Sequence, residues 1–258
     1  MSDKGIDWLR TFGGGILNTC GLTHVGGPEK DEFGERGIHG RISNTPAYIE
    51  SIIQPDPAAG KFDMSISGII KESNIFGPAL ELRRTISSTL GSSSIQIHDE
   101  VSNRGNTSSP HMILYHCNFG WPLVDEGSTL IWKGKMTTRD GHEFPHPEAF
   151  KICRDAIPEH SGNGEQVAIV DIEADEMGLC VAGLQNPKLG IGVALKFSKK
   201  ELPWLTNWQH FGKGEYVTGI EPCSHPPIGQ SKARENNTLI FIEPGETRNY
   251  NLTIEITT

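Results

Sequence analysis

The amino-acid sequence predicts an all-β protein built as a large antiparallel β-sandwich, and three observations carry that reading. Short alternating or apolar runs recur along the chain and are punctuated by Gly, Pro, Asn, Asp and Ser, the pattern of strands joined by tight turns. No segment sustains a 3.6-residue apolar period, so no long amphipathic helix is expected. Near the C-terminus Tyr250, Leu252, Ile254 and Ile256 alternate with Asn249, Asn251, Thr253 and Glu255, which gives one dry and one wet face.

Taken in order, Gly13-Gly14-Gly15 precedes Ile16 to Leu22. It lacks the spacing and the following helix of a phosphate cradle, so its glycines are read as permitting tight backbone entry into a strand. Strands follow at Phe62–Lys71, Ala79–Ser87, Ser94–Asn103 and His111–Phe119. The 139–165 segment, rich in Gly, Pro and His, is loop-like, and loops of that length serve as lids, as binding loops or as tolerated surface excursions. Further strands are expected at Gln166–Ala174, Leu179–Gln185, Gly190–Phe197, Tyr216–Glu221, Asn237–Ile242 and Thr247–Thr257, with Pro244-Gly245 as the turn before the last. Glu201 to Gln209 reads as a turn of helix at most. With no internal repeat and no low-complexity linker, residues 1–258 are expected to form a single domain.

The 258 residues include 23 basic and 32 acidic side chains, for a net charge of −9. No basic patch or Lys/Arg run is present, which argues against nucleic acid and anionic membranes as partners. No apolar run approaches a membrane span, and Met1 to Gly5 carries no apolar signal region, so a soluble cytoplasmic protein is the expectation. The five cysteines, Cys20, Cys117, Cys153, Cys180 and Cys223, form no C-x-x-C pair; reduced thiols account for them.

Two strand segments carry chemistry. In Met112 to Asn118, His116 and Asn118 share a face with Met112 and Leu114; in Tyr216 to Cys223, Glu221 shares a face with Val217 and Gly219, and Gly219 leaves open space beside the carboxylate. An imidazole and a carboxylate on rigid strands suit general acid–base catalysis; a core histidine and a salt-bridged glutamate are the bland alternative. His39 and Arg41, around Gly40, are candidates to clamp sugar hydroxyls, against ordinary turn chemistry. His24, Glu35 and His39 are conceivable metal ligands, but their spacing matches no metal motif.

The ordered segments resemble the aldose 1-epimerase (galactose mutarotase-like) superfamily, and more closely a mutarotase-related branch of it. Leu82-Arg83-Arg84-Thr85, Ile95 to Gly105 and Pro110 to Phe119 are similar to the family's central block of an arginine-containing strand, a D-x-V-x-N-x-G strand and a strand ending H-x-N-F/Y. Gly219-Ile220-Glu221-Pro222 resembles the segment bearing the catalytic glutamate, and Glu243-Pro244-Gly245-Glu246-Thr247 the turn before the last strand. Phe12 to Leu22 and His39-Gly40-Arg41-Ile42 resemble the branch.

The resemblance implies a large β-sandwich (a supersandwich) with a concave face open to a monosaccharide, and an isomerase that interconverts anomers by ring opening and closure. Carried over by position, Glu221 is the base, His116 the acid and His39 a substrate-binding histidine. Glu165 stands where the family places a sugar-binding aspartate. No cofactor and no metal is implied. The family's G-R-x-x-N-R-I segment is missing, with Arg41 the candidate replacement for its arginine, and an N-terminal strand region is absent or reduced.

Beside this, Trp208 offers an indole face to a sugar and Gln209 an amide able to chelate adjacent hydroxyls, against packing roles for both. Asn118 is a candidate for a sugar hydroxyl or for orienting His116. Arg84 either reaches the pocket or pairs with Asp99 or Glu100. Trp121 is expected to pack, and most remaining histidines to lie on the surface or in loops. The competing functional classes are a non-catalytic carbohydrate-binding or regulatory protein and, less favoured, a metal-dependent sugar isomerase.

Overall fold

The computed structural model describes residues 4–258. In chain order the strands are β1 (Asn18–Leu22), β2 (Glu29–Asp31), β3 (Gly34–Arg36), β4 (Ala47–Ile53), β5 (Asp63–Ser73), β6 (Ala79–Thr89), β7 (Ser94–Asn103), β8 (Ser109–Gly120), β9 (Thr129–Ile131), β10 (Gly134–Thr138), β11 (Gln166–Ile172), β12 (Leu179–Asn186), β13 (Ile191–Ser198), β14 (Trp204–Gly212), β15 (Glu215–Cys223), β16 (Ile240–Ile242) and β17 (Thr247–Thr257). Two short α-helices, α1 (Pro147–Phe150) and α2 (Gln230–Glu235), join them. The fold class is all-β, and the paired strands named below run antiparallel. No described helix is long and apolar enough to cross a membrane.

By packing, the chain divides into two compact units. The first comprises the stretch ending at Phe12, Thr19–Ile113 and Pro227–Ile254; the second comprises Gly13–Asn18, Leu114–Pro226 and Glu255–Thr258.

In the first unit β4, β5, β6 and β7 form a meander, with β17 beside β7. Alternation buries one face: Leu80, Leu82, Ile97 and Val101 are closed off, as are Tyr250, Leu252 and Ile254. Each such side chain contributes about 1.5–3 kcal/mol by leaving water. The register sets Arg84 opposite Asp99, and the guanidinium donates to both carboxylate oxygens at 2.7 and 2.6 Å. Asp99 is fully buried, so Arg84 belongs to a structural ion pair, one of the two roles open to it in the sequence.

In the second unit the later half of β8 pairs with β15, β15 with β14, β14 with β11 and β11 with β10. Strand β12 pairs with β13 on one side and with β9 on the other. The segment read as a turn of helix is strand β14. Its buried Asn207 and Gln209 interrupt the apolar alternation, yet both are satisfied: Asn207 donates to Thr218 Oγ1 and Gly219 O, and Gln209 to Phe150 O and Asn207 Oδ1.

Two other expectations are corrected. Trp121 does not pack; it is 78% exposed beyond the end of β8. Of the histidines expected on the surface or in loops, His111 and His210 are buried on strands, and His160 and His225, outside the strands, are buried as well. Each offers a ring nitrogen to a neighbour that replaces water, as His111 does with Leu22 O and Tyr250 Oη.

Candidate functional site

Strand register builds the site. Asn118 pairs with Gly219 and Leu114 with Cys223, so His116 comes directly across from Glu221, with both side chains on one face. Nε2 of His116 lies 3.1 Å from Oε1 of Glu221. The two residues are 7% and 2% exposed, so the pair is almost dry. Oε1 of Glu221 is buried and accepts no aligned hydrogen bond among the described residues, although the imidazole is within proton-transfer reach.

Gly219 makes room for this carboxylate. A Cβ built there would stand 2.2 Å from Oε1 of Glu221, as the open space read from the sequence anticipates. On the neighbouring strand the same face carries Trp208, opposite Gly219. Its indole meets the His116 ring edge-on at 5.6 Å.

Glu165 lies one residue before β11. Its carboxylate accepts from Trp208 Nε1 at 2.7 Å and from Arg139 at 2.7 Å. Asn118 donates through Nδ2 to Gly15 O and to His116 O at 3.1 and 2.9 Å. Gly15 O also accepts the Asn118 backbone N–H, so the glycine turn, with Gly15 at φ 100°, buttresses the strand beside His116.

Burial dominates the electrostatics. It pushes His116 down to about 4 against a smaller upward pull from its hydrogen bond with Asn118 and from the charge of Glu165. It pushes Glu221 well above the usual carboxylate range; the Glu165 charge adds to that rise and Arg139 opposes it. Burial thus favours the neutral form of each group, and the neutral pair sets a carboxyl proton of Glu221 against an imidazole base.

Of the residues singled out in the sequence, His116, Glu221, Asn118, Glu165 and Trp208 come together. Gln209 does not: strand alternation turns it to the opposite face, where Phe150 O and Asn207 engage its amide. His39 and Arg41 belong to the first unit. His39 is a non-glycine residue at φ 56°, with its ring 5.1 Å from Trp8, and Arg41 donates to Asn74 Oδ1 at 3.0 Å. Among the described residues no three His, Cys, Asp or Glu side chains are grouped to hold a metal ion. His24 donates instead to Gly27 O and faces Glu29 at 3.4 Å.

Two contributors were not legible in the sequence. Arg139 starts the 139–165 loop just past β10, and the antiparallel pairing of β10 with β11 brings the two loop ends together; opposite charges at those ends are the available signal. His210 stacks under Trp208 at 5.8 Å and 9° and donates through Nδ1 to Gly164 O at 2.7 Å. It thereby holds the indole and the residue preceding Glu165. Its position two residues after Trp208 on one strand face is the clue.

Comparison with known proteins bears on the family and the fold. The family model described as a domain of unknown function (DUF4432) matches residues 1–256. No curated protein matches the sequence. Among solved structures, a candidate aldose 1-epimerase from Klebsiella pneumoniae aligns over 99% of this chain and 66% of its own, with TM-score 0.86 and 24% identity. The chain thus spans just under two thirds of that protein. A galactose mutarotase-like protein from Clostridium acetobutylicum aligns over 94% of this chain and 79% of its own, with TM-score 0.66 and 14% identity. A candidate aldose 1-epimerase from Escherichia coli K12 aligns over 95% and 81%, with TM-score 0.59 and 15% identity. At these identities the likeness shows the fold, the galactose mutarotase-like β-sandwich.

Proposed function

The chain belongs to the DUF4432 family, and we propose that this member is an isomerase of the aldose 1-epimerase type, interconverting the α and β anomers of a free monosaccharide. The observation that carries the reading is the His116–Glu221 pair, 3.1 Å apart and nearly dry. Mutarotation acts on two oxygens bonded to one carbon, the anomeric hydroxyl and the ring oxygen. Two proton-transfer groups held side by side can address both at once.

Transfer of the shared proton across the pair gives a Glu221 carboxylate and a His116 imidazolium with no change in net charge. Glu221 takes the anomeric hydroxyl proton while His116 protonates the ring oxygen. The C1–O5 bond breaks to give the open-chain aldehyde, rotation about C1–C2 presents the other carbonyl face, and both proton transfers reverse on reclosure. Trp208 supplies an apolar wall for the sugar ring, and Glu165, oriented by Trp208 and Arg139, accepts sugar hydroxyls.

Proton NMR saturation transfer on aldoses, deoxy sugars and uronic acids tests the reading, with Glu221→Gln beside the native protein. Anomer exchange accelerated by the native protein and lost in the variant supports it. Saturable sugar binding without acceleration of any anomer identifies a carbohydrate-binding protein instead.

A further inference from the structure

The first unit encloses a cavity of about 440 Å³ whose lining residues all lie within that unit, large enough for a ligand of monosaccharide size. Three arginines reach its wall, and they are not equivalent. Arg36 is neutralised by Glu29, at 2.7 Å, and by Asp31. Arg41 bonds Asn74. Arg234, on α2, has no carboxylate partner among the described residues. Its guanidinium carbon lies 3.9 Å from the centre of the Phe33 ring and 5.4 Å from that of Phe241. Its Nη2 donates to the neutral Gln230 Oε1 at 3.1 Å, and its Nε is buried without a partner.

Aromatic faces stabilise the cation but accept no directed hydrogen bond from the edge of its fork. A guanidinium held against two rings and bonded to Gln230 has lost much of its rotamer freedom, so an oxyanion gains charge-assisted hydrogen bonds at little ordering cost. The rest of the wall includes Glu35, Glu72, Asn74, Thr107 and Ser108. These groups suit hydroxyls and would repel a second anionic centre.

We infer that this cavity is a second ligand site, taking a small polyhydroxylated acid whose single oxyanion sits on Arg234 and whose hydroxyls meet the remaining wall. The inference is independent of the proposed catalysis, because its residues and those of the His116–Glu221 pair belong to different units.

Isothermal titration calorimetry with gluconate, glucitol 6-phosphate, glucitol and inorganic phosphate, none of which has an anomeric centre, tests it on the native protein, Arg234→Gln, Arg234→Lys and Glu221→Gln. Saturable binding of gluconate or glucitol 6-phosphate is expected, and which of them binds separates carboxylate from phosphate. Glucitol should bind at least about tenfold more weakly, the loss expected for missing charge-assisted hydrogen bonds. Arg234→Gln should weaken the acid by a similar factor, and Glu221→Gln should leave it unchanged. Arg234→Lys keeps the charge without the fork and should also weaken binding, which preserves the test if the glutamine variant does not fold. Absence of binding by both acids, native-like affinity in the folded Arg234 variants, or loss of binding in Glu221→Gln would each overturn the assignment, as would inorganic phosphate binding as tightly as the acids.

Discussion

His116 and Glu221 face one another across β8 and β15, with Nε2 and Oε1 3.1 Å apart and both side chains almost fully buried. Desolvation drives the two groups toward their uncharged forms from opposite directions. The pair therefore holds its proton as one unit.

The pH dependence of stability follows from those directions. An unfolded glutamate releases its proton above about 4.5, whereas folded Glu221 retains it to higher pH. Stability is thus lost as pH rises from the unfolded value toward the folded one. His116 has the opposite sign: between 6.5 and about 4 the unfolded chain takes up a proton that the folded one refuses, so stability falls as pH drops through that window. Glu221→Gln removes the first slope, at most about 1.4 kcal/mol per pH unit. Thermal unfolding followed by circular dichroism should show the variant melting above the native protein at pH 7, with the advantage vanishing near pH 4. An advantage that grows toward acid would refute the assigned direction.

Gly219→Ala should damage the site and spare the fold. The added Cβ would meet the Glu221 carboxylate at 2.2 Å, and a displacement of about 1 Å in a catalytic group costs about a hundredfold in rate. Anomer-exchange kinetics and a melting curve on the same sample separate the effects. A rate equal to that of the native protein would show that the carboxylate position does not matter.

Trp208→Phe keeps an aromatic wall but removes the indole donor to Glu165. The expected outcome is a KM raised about tenfold, the scale of one hydrogen bond to a charged group, with kcat changed much less. Steady-state kinetics checks the split, and a fall confined to kcat would contradict a binding role for this hydrogen bond.

Strand alternation made much of this arrangement legible. It put His116 and Asn118 on one face and set Gly219 beside Glu221 before any pairing was known. It failed where polarity and burial part company. Asn207 and Gln209 are buried polar residues whose partners include Thr218, Gly219 and Phe150, so β14 does not read as a strand, and the amide of Gln209, read as a sugar contact, is engaged on the opposite face. In β4 all seven residues are exposed, which erases the dry–wet alternation. Arg139 and Glu165 meet only because β10 pairs with β11 across a long loop, a contact that local sequence does not encode. The division into two units left no mark in composition.

Asp99→Ala tests the structural ion pair apart from any site. It removes the buried carboxylate that accepts both guanidinium bonds of Arg84, and breaking such pairs costs about 3–5 kcal/mol. Urea denaturation should show that loss. A change below about 1 kcal/mol, the scale of an exposed pair, would contradict the burial assigned to Asp99.

The most direct test of the central claim is the anomer-exchange rate of the native protein beside His116→Asn, Glu221→Gln and the double variant, on the best sugar from the panel. A shared proton unit predicts that each single change costs about a hundredfold or more and that the double variant is scarcely slower than either single one. Losses that multiply in the double variant would show two independent groups, and native rates in either single variant would remove that residue from the reaction.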